Sequence, residues 1–503
     1  MGVLVLHSRS SHVSHVISSR MSDVRGMRKW GPGVVSRMGP LCVIRGHTES
    51  QTQERLDDDD DVVKEPESVI EERVEQQEGG TLWGAMALII GSTIGAGILA
   101  LPDITQEAGF VDSSMGLIGV WAFLVCQALL LAEVNINLRR DEDHSGDEEA
   151  TMTTLRAMAE NTLGKGASRV TTCVYLSLSY CLLVAYLTKV GEIFSFASNG
   201  SMQTDGIVIE FTLASLCLFG IGGPVVTDKL NQGLTSVLVA VFASILVLGL
   251  AGTDMGMLFG ADSSPMTSLH ALGPAIPIMF LSLVYHDLIP LICSYLGGDK
   301  AKIRQALVFG SLVPLCMFIS WEGVSLSFFA NHQSGIPYHG HVDPVNILIS
   351  ESGNPLLGLL VQGFSFTAIA TSFLGTTMGV SETIFSEFHT VLDDPSTSIG
   401  ISEDKTKEDS LLSVRNIALG LTLVPPLIFT TTGDPKAFIN VLSIAGGYGM
   451  TLLYGIFPPM MAYMYRKEKR TQGSLLPGGD TALFVLFVVG MGLMLQRASS
   501  DFI

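Results

Sequence analysis

The sequence predicts an all-α membrane protein of about 11 transmembrane helices, paired as two inverted repeats of five with helices one and six broken. Three observations predict it. Hydrophobic residues make up 47% of the 503-residue chain although the first 80 residues are largely polar, so the remainder is very apolar. That remainder divides into apolar stretches near the ~20 residues needed to cross a bilayer. Two of these stretches, five helices apart, are interrupted at their midpoints. Matching interruptions in two halves point to an inverted repeat with a binding site between them.

The N-terminal part has two compositions. In residues 1–48, Arg9, Arg20, Arg25, Arg28, Lys29, Arg37 and Arg45 face the single acid Asp23, and serines are frequent. An Arg- and Ser-rich, acid-poor start reads as an organelle transit peptide, plastid or mitochondrial, with an ordinary cytosolic arm as the alternative. Residues 49–80 hold much of the net charge of −19, including the run from Asp57 to Asp61. Such a block is expected to stay disordered, since it has too little apolar surface to offset its ordering entropy. Consecutive aspartates lack the glycine turn and spaced ligands of a calcium loop. The acidic balance also argues against a nucleic-acid partner. Residues 81–503 form the third part, the membrane domain.

The first span carries Gly91, Gly95 and Gly97 in its centre, each of which weakens a helix by roughly 1 kcal/mol relative to alanine. Pro102 closes it. The second span covers 115–134 and ends at Arg139-Arg140; a short amphipathic piece at 151–163 then lies at the interface. The third, fourth and fifth spans are 170–194, 207–226 and 233–252. The sixth, 274–296, contains His286 and Asp287 just before Pro290, which removes a backbone donor and breaks the helix. The seventh, eighth and ninth are 306–329, 355–380 and 411–430. The tenth, 438–465, is interrupted by Gly446-Gly447 and Pro458-Pro459, and the eleventh is 482–495. Basic residues fall on alternate loops: Arg139, Arg140, Lys165, Arg169, Lys229, Lys300, Lys302, Arg304, Arg415, Arg466 and Lys467 share one side. That asymmetry places the N-terminus inside. The seven cysteines have no metal-ligand spacing and read as small hydrophobes. His332, His339, His341 and Asp343 share an outside loop, again without regular ligand spacing.

Unpaired backbone at membrane depth is tolerated only where it lines a protein cavity or water, so both breaks are candidate binding elements. An ionisable residue at that depth, His286 above all, is a functional candidate by default.

Several stretches then resemble the bacterial tyrosine- and tryptophan-specific permeases, the hydroxy/aromatic amino-acid permease family. They are Gly91 to Pro102, Leu130-Leu131-Ala132-Glu133-Val134, Gly191-Glu192-Ile193, Tyr285-His286 with Ile289-Pro290, and Ser294-Tyr295-Leu296. Ala370-Thr371-Ser372-Phe373-Leu374-Gly375 and Pro425-Pro426-Leu427 complete the set. The resemblance runs in order from Thr81 to about Arg497. It implies a leucine-transporter-like fold and symport of an aromatic amino acid with a cation, a proton in the bacterial relatives. Plant and algal members carry organelle presequences, which fits residues 1–48 and a plastid envelope, with the mitochondrial inner membrane as the alternative. The departures are the N-terminal arm, the acidic block, and Asp287, where bacterial members tend to have a small residue.

Physics and resemblance together name the expected site. Amides of Ser92, Thr93, Gly95, Ala96 and Gly97 would receive a substrate carboxylate, where helix-end dipoles favour negative charge. Carbonyls of Leu283 and Tyr285, beside His286, would receive the ammonium. Phe280, Tyr175 and Tyr180 are candidates for an aromatic pocket. For the coupling ion, the hydroxyls of Thr371 and Ser372 with carbonyls of Gly91 and Ile94 would form the sodium site of this fold's sodium symporters. Protons are favoured instead, through His286 and Glu133 first, then Glu192; Glu322, Asp228 and Glu382 rank lower. No cofactor beyond that cation, no metal and no protein partner is expected. A serine- or threonine-type substrate and a non-transporting receptor or scaffold stay open. A channel is disfavoured for want of a continuous polar pore, and an enzyme for want of any nucleotide or hydrolase motif.

Overall fold

The structure is a computed structural model that describes residues 80–145, 154–198, 201, 203–252, 272–333, 355–392, 404–432, 441, 443–468 and 474–501. The transit-peptide and acidic-segment expectations, and the cluster of His339, His341 and Asp343, lie outside the described residues. Among the described residues there is no strand.

The first span is two helices, α1 (Leu82–Thr93) and α2 (Gly97–Thr105), bent by 57°. Thr81 caps α1, its Oγ1 accepting from the Gly84 amide at 3.1 Å. Next come α3 (Gly109–Ser145), α4 (Leu155–Leu163) and α5 (Lys165–Ala197). α3 runs well past the apolar stretch that marks it in sequence, because Asn135, Asn137 and Leu138 remain buried in the protein. α6 (Thr204–Gly252) holds spans four and five, parted at Gly223 with φ 64°, a left-handed conformation that favours glycine.

The sixth span is α7 (Ile276–Leu283), a break at Val284-Tyr285, a 3₁₀ turn (His286–Leu288) and α8 (Ile289–Tyr295). Pro290 sits in the first turn of α8, where its missing N–H costs least. α9 (Lys300–Gln333), α10 (Pro355–Leu392) and α11 (Asp404–Thr432) follow. Asp299 caps α9, accepting from the amides of Ala301 and Lys302 at 2.9 and 3.1 Å. The tenth span is a π-helix (Ala445–Ile456) running into α12 (Phe457–Glu468), and α13 (Gly479–Asp501) ends the chain. Pro458 and Pro459 fall in the first turn of α12, so they do not interrupt it.

Among the described residues nine spans are long and apolar enough to cross a membrane, two of them in α6 and one made of α7 with α8, and the bent α1–α2 pair makes ten. The π-helix with α12 occupies the remaining expected span. The chain is an integral membrane protein. One half of each broken span, α2 and α7, pack together, α7 also packs on the π-helix, α9 packs on α1, α2 and α7, and α10 packs on α5 and α6.

Candidate functional site at the two helix breaks

The breaks meet. A Cβ on Gly97 would lie 2.8 Å from Ser282 Oγ and 3.2 Å from its Cα, so only glycine lets the start of α2 approach the end of α7 this closely. Ser282 Oγ donates to Ile278 O at 2.8 Å, which holds it against its own helix. Here the N-terminal end of α2 and the C-terminal end of α7 come side by side. One presents amide polarity and the other carbonyl polarity.

At the first break, Ile94 N–H still donates to Ile90 O at 3.2 Å, and α2 restarts with short-range bonds from Ile98 to Gly95 O and Leu99 to Ala96 O. Ser92 and Thr93 turn their hydroxyls back to Ile89 O at 3.0 and 2.7 Å. The Ala96 amide donates to Ser372 Oγ on α10 at 3.1 Å, and a Cβ on Gly95 would meet that same oxygen at 2.8 Å. Ser372 therefore fastens the break to the eighth span. Thr371, its neighbour, donates instead to Thr367 O at 2.9 Å within α10. Gly91 and Ile94 lie in and just after the last turn of α1, with Ile94 buried.

At the second break, Leu283 ends α7, so its carbonyl is among the last four, which have no intrahelical donor. Tyr285 O accepts from Leu288 N at 3.1 Å and keeps a second lone pair. Tyr285 OH reaches Leu307 O at 3.3 Å. His286 is buried, with Nε2 3.0 Å from Leu124 O on α3. A carbonyl only accepts, so Nε2 carries the hydrogen and Nδ1 of the neutral ring is an acceptor. Nδ1 is buried without a partner. Tyr285 and Tyr454 each place a ring 5.2 Å from the imidazole. Asp287 is exposed at this break and accepts a hydrogen bond from Tyr454 OH.

The expected aromatic residues separate. Phe280 is buried near the break, 6.0 Å from Phe123 between ring centroids. Tyr175 OH abuts Gly379 on α10. Tyr180 OH donates to Leu421 O at 2.8 Å and serves helix packing.

The expected proton carriers separate further. Glu133 is buried and receives Arg466 Nε and Nη2 at 2.8 and 2.9 Å and Leu475 N at 2.9 Å. Glu133 is nine residues further along α3 than Leu124, beside His286, or about 13 Å of helix. Its charge is already matched by a guanidinium, so it ties the inner ends of α3 and α12 together. Glu192 forms a half-exposed i,i+3 pair with Lys189 at 3.0 Å. Glu382 is exposed, and the side chain of Asp228 lies outside the described ones. Glu322 is the buried carboxyl that composition ranked low: fully buried, its Oε2 is 2.6 Å from Thr105 Oγ1. Tyr454, Arg466 and Leu124 were not picked out from sequence. Of these, Arg466 alone had a local signal, as a basic residue closing the tenth span.

The tryptophan/tyrosine permease family profile matches residues 78–497. The "Tyrosine-specific transport system 2" of Haemophilus influenzae is 29% identical over 427 residues, covering 82% of this chain and 95% of that relative. The "Tryptophan-specific transport protein" of Shigella flexneri is 26% identical over 439 residues, with coverages of 85% and 97%. Among solved structures, MhsT in complex with L-phenylalanine superposes with a TM-score of 0.51 at 16% identity, covering 84% of this chain and 100% of that one. The likeness establishes a shared, leucine-transporter-like fold. With the match spanning most of its length, this chain belongs to the tryptophan/tyrosine permease family.

Proposed function

We propose that the protein is a secondary active transporter that moves tyrosine or tryptophan together with a proton by alternating access across an organelle membrane, the plastid envelope. The observation that carries this reading is the contact of Gly97 with Ser282, which sets helix ends of opposite polarity beside each other at mid-membrane. A zwitterion suits that arrangement. The carboxylate goes to the amides of Gly95 and Gly97, and the ammonium to the carbonyls of Leu283 and Tyr285. Ala96 joins the first set when its bond to Ser372 opens. Buried Phe280, half-buried Phe123 and the tilted ring contacts of Tyr285 and Tyr454 with His286 supply an apolar, aromatic setting for the ring. The names of the relatives, tyrosine- and tryptophan-specific transport proteins, support the same substrate class. Proton coupling draws support from Thr371, whose hydroxyl is engaged within its own helix rather than turned to the break with Ser372. The plastid reading draws on the Arg- and Ser-rich residues 1–48.

The test is uptake by the full chain in proteoliposomes, offering labelled tyrosine, tryptophan and serine under a proton gradient and then a sodium gradient. Proton-driven accumulation of tyrosine or tryptophan is expected. Accumulation driven by sodium alone overturns the coupling, and preference for serine overturns the substrate class. A fluorescent fusion to residues 1–80 that stays out of plastids overturns the location.

A further inference from the structure

The short helix α2 is the outer half of the broken first span, and α9 holds it through two adjacent side chains. Trp321 Nε1 donates to Ile98 O at 3.2 Å, at the start of α2. Glu322 meets Thr105, at its end. Thr105 Oγ1 lies 2.8 Å from Leu101 O and 2.6 Å from Glu322 Oε2. A hydroxyl has one proton, and both neighbours are acceptors if Glu322 is ionised. A neutral Glu322 satisfies all three atoms: Oε2–H donates to Thr105 Oγ1, whose own hydrogen goes to Leu101 O.

The surroundings agree with a neutral acid. Glu322 is fully buried, and Oε1 has no partner. One turn on, Ser325 Oγ is also buried without a partner, so two unpartnered polar groups share this face of α9. Among the described residues of the elements packed on α9, α1 and α7 carry no titratable side chain. α2 carries Asp103, which accepts from Gln106. α3 carries Asp112 in its first turn and Glu133, Arg139 and Arg140 in its second half, and α6 carries Asp205, Glu210 and Lys229. Among the described residues Glu322 has Thr105 as its hydrogen-bond partner and no ion pair with a cation.

We propose that Glu322 is the proton-binding latch of the transport cycle, holding α2 to α9 while neutral and releasing it on losing its proton. The assignment rests on the proton-symport reading. In the step, the Oε2–H bond breaks with its electron pair left on oxygen, the proton passes to water, and Thr105 keeps its bond to Leu101 O, so the tie to α9 is lost. The loss of one of two fastenings frees the outer end of α2, which is already hinged at its break from α1.

The test uses the full chain in proteoliposomes with Glu322→Gln, whose amide donates to Thr105 as the acid does. Tyrosine exchange across the membrane, which needs no net proton release, should be retained, while accumulation driven by a proton gradient is lost. The infrared carbonyl band of a protonated carboxyl should be present in the wild type and missing in the variant. Proton-driven accumulation at the wild-type level in Glu322→Gln overturns the assignment, and so does loss of exchange in a folded variant, which marks a structural role. If the wild type itself accumulates nothing with protons, the symport reading fails first and the latch with it. Should Glu322→Gln not fold, Thr105→Val keeps the acid but removes its partner. Its carboxyl band should then move to higher frequency, and an unmoved band overturns the proposal.

Discussion

Ser282 closes against Gly97 at the meeting of the two broken spans, so that a single added methyl group would sit 2.8 Å from the serine oxygen and 3.2 Å from its backbone. Gly97→Ala should therefore displace α2 from α7 by a few tenths of an ångström and lower uptake on the order of tenfold or more, as small misplacements of binding groups do. Ser282→Gly in the same protein makes room and should restore part of the rate. Initial uptake rates of the two variants, normalised to folded protein, decide it; equal rates in single and double variants would show that the contact is not what limits transport.

Breaking the inner tie should affect stability rather than coupling. Glu133→Gln leaves the partly buried Arg466 without its counter-charge, which costs less than the about 3–5 kcal/mol of a fully buried pair because solvent reaches the guanidinium. The measurement is a thermal melt in detergent, where a clear drop in Tm is expected. Glu133→Met with Arg466→Leu should recover much of that loss, since a buried pair replaced by apolar groups is often neutral. The folded fraction of either variant should still respond to a proton gradient.

His286→Ala removes a second donor from Leu124 O, which keeps its own helical partner within α3, so the stability cost is the net worth of one hydrogen bond, about 0.5–1.5 kcal/mol. Its effect on uptake should be far greater than this, because the unpartnered Nδ1 faces a setting shared with Tyr285 and Tyr454. Uptake measured beside size-exclusion profiles separates the two effects. Wild-type uptake by the variant would remove His286 from the site.

Ser372→Ala orphans the Ala96 amide in the substrate-free protein, again at a cost of about 1–3 kcal/mol. A bound carboxylate can replace the lost oxygen. The variant should thus melt lower without substrate and show a larger rise in Tm on adding tyrosine than the wild type does. An identical rise in both proteins would place the carboxylate away from Ala96.

Both breaks were legible in sequence because glycine and proline act locally: Gly95 and Gly97 weaken the first span, and Pro290 marks the start of the second half of the sixth. The span boundaries followed from hydropathy, which reports where a helix is apolar but not where it stops, so α3 ran on to Ser145. The π-helix from Ala445 was read as a glycine interruption, since local composition does not distinguish a widened helix from a broken one. Partners were the least legible. Glu133 and Glu322 have similar apolar neighbours in sequence, and only packing sets one against Arg466 and the other against Thr105.

The indole of Trp321 gives the outer half of the first span a built-in optical signal. The chain has four tryptophans, and Trp321 is the one whose Nε1 holds α2, within an aromatic cluster formed with Phe242 and Phe364. Replacing Trp30, Trp83 and Trp121 by phenylalanine would leave one fluorophore whose emission colour follows the bond to Ile98 O. Blue emission would report α2 fastened and red emission α2 released, so the motion could be timed without attaching a dye.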